Sequence, residues 1–382
     1  MVSESAKKAI SEIRSLNFGI IDCHHHFWDN TDWRRTNSRL AYLPLEKYGR
    51  KPLAKPLPPP RPDQKTFGWQ SMSAQDIDKS LVQMERTYGS HQPMMMNYLL
   101  TDLYDDLDEG NIPLDGTVYV ECGWKESDQA GETRWVQTNA SDRTMRVGAG
   151  IVSHSDMLKD PKYVKAELLR HAQNPSFRGI RYQLAKRKAD PETMKHPTFL
   201  SNFATLNEMH LCFDLMCHQY QLKDAAELAR NFPNVTIVLD HLACPVMAGK
   251  NKSVVDEWVE GMKALASNPN VYAKLSGLMP VLGTEFHKRE FTDAGPTAEE
   301  ISHSILGVLV KHCVEIFGPD RCCFASNFPV DKCSARYPEL LSAYWIICKR
   351  MGLDNRQMKA IFRDNSVKAY KLVMPEGVTP KL

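Results

Sequence analysis

Three consecutive histidines follow an apolar run near the start of the chain, in the segment IDCHHHFWD at 21–29. Alternate residues of a β-strand point to the same side, so His24 and His26 should project together while His25 faces the other way. Two imidazoles this close can hold one divalent metal ion, or can orient a substrate carboxylate or a water molecule. His24 and His26 are therefore predicted to be catalytic residues, and to be the ligands if a metal is bound. The alternative is an ordinary, partly exposed histidine cluster.

The elements that must position these side chains are eight short runs rich in apolar and β-branched residues. Most are near-continuous apolar runs, which indicates strands covered on both faces, as in a parallel sheet. The runs are Gly19–Cys23, Thr117–Cys122, Val147–Val152, Phe177–Gln183, Leu211–Cys217, Val235–His241, Val271–Ser276 and Cys322–Asn327.

Helical periodicity fills several of the intervals between these runs. Apolar residues recur at helical spacing in Gln221–Phe232, in Ser253–Ser267 and in Thr297–Phe317, which is predicted to be one long helix. Strand and helix therefore alternate, and eight such strands match the α/β class (β/α)₈ TIM barrel. A doubly wound open sheet is the competing architecture, but no glycine-rich phosphate loop follows the first strand.

The chain is longer than the roughly 250 residues that a barrel needs. We interpret residues 1–382 as a single elaborated domain with strands from about 19 to 327 and a long insertion at 27–116. That insertion holds a proline-rich segment, Pro44–Pro62, and a helix that begins near Ser73. A second long loop spans Gly277–Pro296. Loops that follow strands lie at the catalytic face of a barrel, so both should border the site as a lid or as a contact between two copies in a homodimer.

Two further strands are expected to bring charged side chains inward. Val118 and Val120 share one face and suit the helix side, so Glu121 should point into the barrel, where it could bind metal, accept a substrate hydroxyl or pair with an arginine. Arg181 is expected to face inward from the fourth strand and to grip a carboxylate in a bidentate manner. Arg178 falls on the other face and is predicted to be structural.

Three more polar residues lie at or near strand ends. Lys274 shares a face with Tyr272 and Ser276, and a lysine inside a barrel would be costly unless a carboxylate of the protein or the substrate paired with it. His218, just past the fifth strand, is a candidate substrate contact, ligand or base, with an ordinary loop histidine as the equal alternative. His154, after the third strand, is a weaker candidate.

Together these segments resemble the amidohydrolase superfamily, whose first strand carries an H-x-H motif. More specifically they resemble the amidohydrolase-related (amidohydrolase 2) branch, which holds sugar-acid and dicarboxylate lactonases and some nonoxidative decarboxylases. The resemblance covers about residues 19–373, and its motifs are specific to the family but to no substrate. Besides the histidines, the matching segments are Val118–Glu121, Phe177–Arg181, Val238–His241, Lys274–Leu278 and Phe324–Val330.

The resemblance also assigns the end of the sixth strand. Asp240 and His241 close that strand, and by alternation only one of them can face in. The resemblance favours His241 as the active-site residue and Asp240 as a residue that orients a neighbouring group.

One position departs from the family pattern. Amidohydrolases carry an aspartate at the end of the eighth strand, where it ligates metal and takes a proton from the attacking water, but Asn327 stands there in this chain. An amide cannot act as a general base, although it can hydrogen-bond a water or a substrate oxygen. Asp331, four residues on, could supply the missing carboxylate. Two alternatives stay open: one divalent ion, Zn or Mn, held by His24 and His26, or metal-free operation, as is thought for some lactonases of this branch.

The leading hypothesis is a hydrolase that opens a lactone, either carboxylate-bearing or derived from a sugar acid, by addition of water. Such a reaction needs a polarised carbonyl, a positioned water and a modest base. The alternatives are a nonoxidative metal-dependent decarboxylase on the same scaffold and a non-catalytic relative that binds a ligand. The predicted roles are carbonyl or metal binding for His24 and His26, water activation for His241 or Asp331, substrate-carboxylate anchoring for Arg181 and Lys274, and orientation of the set by Glu121.

The resemblance implies a small-molecule substrate, and composition gives no support for a nucleic-acid or membrane partner. Forty-eight basic and 46 acidic residues leave a net charge of +2, and no basic patch with interleaved aromatics supports nucleic-acid binding. No apolar run is long enough to cross a membrane, and the start has no signal-peptide core. Ten scattered cysteines are typical of free thiols in a reducing compartment, which predicts a cytoplasmic location. The terminal Pro380-Lys381-Leu382 distantly resembles the Ser-Lys-Leu peroxisomal targeting signal.

Overall fold

The structure is a computed structural model that describes residues 1–29, 97–140, 147–185, 192–245, 252–277 and 295–374. Several predictions fall outside the described residues. They are the proline-rich segment Pro44–Pro62, the helix near Ser73, nearly all of the loop Gly277–Pro296 and the C-terminal tripeptide.

Eight parallel strands form one sheet in which each strand pairs with the next along the chain. Main-chain hydrogen bonds also link its two ends: Asn327 N donates to His24 O and His26 N donates to Phe328 O, each at 2.7 Å. The (β/α)₈ barrel is thus confirmed, and all eight predicted strands are present with ends shifted by a few residues. The strands are β1 Ile20–His25, β2 Leu114–Val120, β3 Gly150–His154, β4 Phe177–Gln183, β5 Cys212–Met216, β6 Ile237–Leu239, β7 Val271–Leu275 and β8 Cys322–Phe324.

Helices pack against the outside of this barrel. The predicted helices at 221–232 and 253–267 are confirmed, with small shifts at their ends. Within the described residues the α-helices are α1 Glu4–Ser15, α2 Leu100–Asp108, α3 Ala130–Trp135, α4 Pro161–His171, α5 Pro197–Glu208, α6 Leu222–Asn231, α7 Lys252–Ala266, α8 Ala298–His303, α9 Ile305–Phe317, α10 Tyr337–Arg350, α11 Asn355–Lys359 and α12 Asn365–Tyr370. No helix in this part of the chain is long and apolar enough to span a membrane.

The prediction of one helix over Thr297–Phe317 is wrong, because Ser304 separates α8 from α9. Ser304 has extended backbone angles (φ −73°, ψ 177°). Its hydroxyl donates to Ile301 O at 2.7 Å and accepts from Leu306 N at 3.2 Å, so it ends one helix and begins the next. Serine stabilises such helix ends because its hydroxyl replaces the missing main-chain hydrogen-bond partners. The spacing of apolar residues does not reveal such a break.

The interior of the barrel is a small apolar core, separate from the large core between strands and helices. Val118 and Val120 belong to this interior, whereas Tyr119 packs outward against Phe27. The expectation that the valines face the helices is therefore wrong, because the inside of a barrel is itself packed with branched side chains. The interior residues are Ile21, Cys23, Val118, Val120, Val152, Cys212, Val238, Tyr272, Cys323 and Ala325, and Ala369, Tyr370 and Leu372 of the C-terminal segment pack against them.

The cysteines agree with the sequence prediction of free thiols. None of the ten, all of which lie in the described residues, forms a disulfide, and nine are buried while Cys122 is partly accessible. The cytoplasmic location and the homodimer stay predictions.

Candidate active site

A bulge in β1 directs two histidines into the mouth of the barrel. Pairing with β2 advances from Asp22 to His25 on one strand but only from Thr117 to Tyr119 on the other, so β1 carries one extra residue. Such a bulge changes the direction of the side chains beside it. Neighbouring residues of a regular strand face opposite sides, but here Cys23 and His24 both face the interior of the barrel. His25 turns to the helix side, where its Nε2 lies 2.7 Å from Thr117 Oγ1. The predicted orientation of the histidines is observed, but simple alternation does not explain it.

Asp22, which the sequence did not single out, holds this bulge against β8. Its Oδ1 accepts from His24 N at 3.2 Å and from Ser326 N at 2.9 Å. Its Oδ2 accepts from Ser326 Oγ at 2.5 Å and from Tyr337 OH at 3.0 Å. The side chain is fully buried, and burial raises its pKa although these donors oppose the shift. An aspartate inside an apolar strand was the available signal.

The deepest layer of the site is built around Lys274. Its Nζ lies 2.5 Å from Asp214 Oδ2, 2.9 Å from Asp240 Oδ1 and 3.1 Å from His24 Nδ1. All four residues have no accessible surface. The carboxylate partners expected for Lys274 are thus found within the protein. Asp214 was missed as a site residue, although it lies on the inward face of β5.

Charge pairing decides the protonation of this layer. Burial alone would lower the pKa of Lys274, but the charges of Asp214 and Asp240 outweigh it and raise that pKa. Burial alone would raise the pKa of Asp240, yet the Lys274 charge holds it well below its ordinary value. For Asp214, burial outweighs Lys274 and raises the pKa to about 6. Lys274 and Asp240 are therefore an ion pair at neutral pH.

A second layer lies closer to solvent and is centred on Arg181. Its Nε donates to Glu121 Oε1 at 2.8 Å, and its Nη1 lies 3.4 Å from Asp240 Oδ2 and 3.3 Å from His24 Nε2. Arg181 and Glu121 are only 4% and 3% exposed, but this is the part of the cluster that reaches the surface. Arg178 turns away and donates to main-chain oxygens, including Pro175 O, as predicted.

His241 reaches the same cluster through an unusual turn. The chain runs left-handed from His241 to Cys244, with φ values of 51°, 53°, 59° and 42° at four successive non-glycine residues. The expectation that only one of Asp240 and His241 can face in is wrong, because this turn abandons strand alternation directly after Asp240. The His241 ring centroid lies 4.5 Å from that of His24. Left-handed conformations cost about 1–2 kcal/mol per residue and cluster at functional sites.

Two imidazoles of the outer layer are neutral at pH 7. Burial, reinforced by Arg181, holds the pKa of His26 well below its ordinary value. Burial lowers the pKa of His241 to about 4, with Arg181 and Lys274 adding to the effect and Asp240 opposing it. His26 Nδ1 lies 2.7 Å from Val120 O, an acceptor, so Nδ1 carries the proton and Nε2 has a free lone pair.

Asn327 and Asp331 are brought together at the end of β8. Asn327 adopts a left-handed conformation (φ 57°), and its Nδ2 donates to Asp331 Oδ1 at 3.0 Å. Asn327 is 3% exposed, whereas Asp331 is fully buried. A substrate can therefore reach the amide more readily than the carboxylate in this structure. The adjacent Lys332 points away and pairs with Asp106.

Two other predicted histidines lie outside the charged cluster. His218 is half-buried, stacks on Tyr220, and its Nδ1 lies 3.3 Å from Cys244 O. It therefore contacts the left-handed turn and not the carboxylates. His154 is half-buried and stacks on Tyr182 with ring centroids 6.3 Å apart.

His24, Asp240 and His241 form a group that could hold a metal ion, with ligand atoms within 4.8 Å of one another. The sequence prediction paired His24 with His26 instead. Positive side chains already face these atoms: Arg181 Nη1 and Lys274 Nζ lie 3.3 and 3.1 Å from the two ring nitrogens of His24. A divalent ion here would sit beside two fixed positive charges. The arrangement does not fit a metal unless Arg181 or Lys274 moves.

The sequence profile of the amidohydrolase family (Amidohydro_2) matches residues 21–372. The chain belongs to the amidohydrolase family. This places the histidines of β1 and the residues that follow β6, β7 and β8 within the matched region of an enzyme family.

Curated relatives share less than a third of their residues with the chain. Uncharacterized protein y4mH of Sinorhizobium fredii is 29% identical over 363 residues, which is 93% of this chain and 99% of that protein. An L-fucono-1,5-lactonase of Burkholderia ambifaria is 27% identical over 56% of this chain and 67% of its own length. An L-rhamnono-gamma-lactonase of Scheffersomyces stipitis is 26% identical over 55% and 64%.

Solved structures share the fold. An amidohydrolase of Burkholderia multivorans, solved with bound HEPES, has a TM-score of 0.65 at 18% identity and covers 93% of this chain and all of its own. A second crystal form of an amidohydrolase from that organism contains bound Zn, with the same TM-score at 20% identity. At these identities the likeness describes the architecture only.

Proposed function

We propose that this protein hydrolyses the ring ester of a lactone. The observation that carries the proposal is the pair of neutral imidazoles, His26 and His241, beside the Arg181 guanidinium at the mouth of the barrel. Ester hydrolysis needs a base that is unprotonated at neutral pH and a donor for the oxygen that becomes negative. Relatives named as sugar-acid lactonases support the same class of reaction.

In the proposed mechanism a water molecule attacks the lactone carbonyl carbon. Nε2 of His241 or His26 takes a proton from the water as the new carbon–oxygen bond forms. N–H groups of Arg181 and Asn327 donate to the carbonyl oxygen as it becomes negative. The ring carbon–oxygen bond then breaks, and the leaving alkoxide takes the proton back from the imidazolium. One water is consumed, and the product is a hydroxy acid.

The charge balance of the site favours an uncharged lactone over one that bears a carboxylate. Lys274 is neutralised by Asp214 and Asp240, and Arg181 by Glu121 and Asp240. Three carboxylates therefore face two cations, and the described cluster has no cation left for a substrate carboxylate. We accordingly propose that the substrate is a sugar-acid lactone with no free carboxylate. This proposal replaces the expectation that Arg181 and Lys274 anchor a substrate carboxylate.

We further propose that the reaction proceeds without a bound metal, because the candidate ligand atoms already face Arg181 and Lys274. Elemental analysis of the purified protein should find less than one divalent ion per ten chains, and prolonged chelation should leave the hydrolysis rate unchanged. Stoichiometric zinc or manganese that leaves together with activity would overturn this part of the proposal.

The main test is hydrolysis of a panel of lactones, in which the acid released is monitored with a pH indicator in a weakly buffered solution. Uncharged aldonolactones should be opened faster than dicarboxylate lactones of similar ring size. Whichever of His241→Ala and His26→Ala removes the base should lower kcat by at least 10²-fold, whereas the exposed His303→Ala should not change it. A folded protein that opens no lactone would refute the proposal, and release of carbon dioxide from an aromatic acid would favour the decarboxylase alternative.

A further inference from the structure

The segments that follow β6 and β7 touch at a point where only glycine fits. Gly277 has a φ of 89°, and a Cβ atom built there would lie 2.7 Å from His241 Cβ, 3.1 Å from its Cα and 3.3 Å from its Cγ. Real Cβ atoms essentially never approach their neighbours to less than 3.0 Å. Any side chain at Gly277 must therefore displace His241 or move the backbone.

The residue before this glycine fixes the ring of the same histidine. Ser276 is fully buried, and its Oγ lies 2.8 Å from His241 Nδ1. A hydrogen bond to one ring nitrogen fixes how the ring is turned and leaves the other nitrogen to face a reactant. Ser276 thereby leaves Nε2 of His241 as the nitrogen that can exchange a proton with a reactant.

The left-handed turn gives His241 little room to yield. Trp258 Nε1 donates to Leu242 O at 2.6 Å, and Leu242 and Ala243 are fully buried. Gly277 supports the turn from the other side, at the Cα and Cβ of its first residue. The turn is therefore clamped between α7 and the end of β7.

We infer that Ser276 and Gly277 are a positioning pair for His241: the glycine lets the left-handed turn approach β7, and the serine hydroxyl engages Nδ1 and so fixes how the imidazole is turned. Neither residue needs to touch the substrate. The catalytic consequence of this inference rests on the proposed function, because it supposes that His241 transfers a proton during lactone opening. The structural part, the state of the ring, does not.

The test compares Gly277→Ala with Gly352→Ala in the full-length protein. Both glycines have similar left-handed φ values, 89° and 78°, but nothing lies within 4 Å of a Cβ built at Gly352. Gly352→Ala should lower Tm by about 2–4 °C through backbone strain alone. Gly277→Ala should lower it further, because its Cβ also meets His241. Only Gly277→Ala should shift the imidazole ¹⁵N signals of His241, assigned by their loss in His241→Gln, and lower kcat by about 10²-fold with a small change in KM.

Ser276→Ala provides a second test that does not depend on folding of the glycine variant. Its His241 ¹⁵N signals should shift, because Nδ1 loses its hydrogen-bond partner, and Ser276→Thr, which keeps the hydroxyl, should restore the parent pattern. Unchanged signals in both Gly277→Ala and Ser276→Ala would overturn the inference. Shifted signals in a protein that opens no lactone would support the positioning role and refute the proposed function, so the two failures can be told apart.

Discussion

Replacing Lys274 by methionine should strongly destabilise the fold, because Lys274 neutralises two buried carboxylates. In the parent its Nζ lies 2.5 Å from Asp214 and 2.9 Å from Asp240, and none of the three side chains is accessible. Methionine retains most of the apolar stem but removes the charge. Asp214 and Asp240 then face each other's charge in the interior with only Arg181 to offset them.

Removing one partner from a buried ion pair costs about 3–5 kcal/mol, chiefly because the remaining charge has lost both water and its counter-charge. We expect Lys274→Met to lower the free energy of unfolding at pH 7 by this amount. Lys274→Met/Asp214→Asn restores the charge balance of the parent, so the double variant should recover about 2 kcal/mol relative to Lys274→Met alone.

The pH dependence has a definite sign. The pKa of Asp214 in the folded protein is raised to about 6 from 3.8, so the folded state holds this proton more tightly than the unfolded chain. The resulting stabilisation is fully present below pH 3.8 and is lost as the pH rises through about 6. Lys274 opposes the raised pKa, so its removal raises it further. The loss of stability in Lys274→Met should therefore be smaller at pH 5 than at pH 8.

Urea unfolding of the four proteins, parent, Lys274→Met, Asp214→Asn and the double variant, at pH 5 and pH 8 measures all of these quantities. A free energy of unfolding for Lys274→Met within about 1 kcal/mol of the parent would refute the view that this ion pair is buried. A double variant no more stable than Lys274→Met would refute the charge-balance explanation.

Three further substitutions test the contacts around this pair. Arg181→Lys keeps the charge but loses the fork that spans Glu121 and Asp240, so kcat/KM in the lactone assay should fall at least tenfold; an unchanged value would exclude Arg181 from the reaction. Tyr370→Phe removes the hydroxyl that donates to Asp214 at 3.0 Å, and urea unfolding should show a loss of about 1.5–3 kcal/mol. Asp22→Asn should lower Tm by several degrees in calorimetry, and an unaltered Tm would contradict its role in joining β1 to β8.

The barrel could be predicted from the sequence because its strands are buried on both faces. Near-continuous apolar runs such as those at 235–239 and 271–275 are typical of strands in this setting, and all eight runs are strands in the structure. The break at Ser304 could not be predicted by the same signal, since one hydroxyl that caps two helices leaves the apolar spacing intact.

The site was predictable in its residue types and less so in its geometry. His24, Arg181 and Lys274 were predicted to face the interior of the barrel, and in the structure Arg181 and Lys274 each lie within hydrogen-bond distance of His24. Asp22 and Asp214 were missed, because a carboxylate in an apolar strand gives no sign of its partner until the strands are packed. The prediction that Val118 and Val120 face the helices was wrong, because both faces of a barrel strand are apolar and the pattern does not distinguish them.

The sequence by itself determined which chemical groups stand at the strand ends: histidines at the end of β1, a guanidinium in β4, a lysine in β7, and an amide in place of a carboxylate after β8. Only the tertiary structure decided which of these groups pair with other groups of the protein. Lys274 and Arg181 are neutralised by carboxylates contributed from other strands, and His241 owes its place to a left-handed turn that closes against Gly277. Pairing between distant segments depends on distances of a few ångströms in three dimensions, and local alternation and spacing carry no information about them.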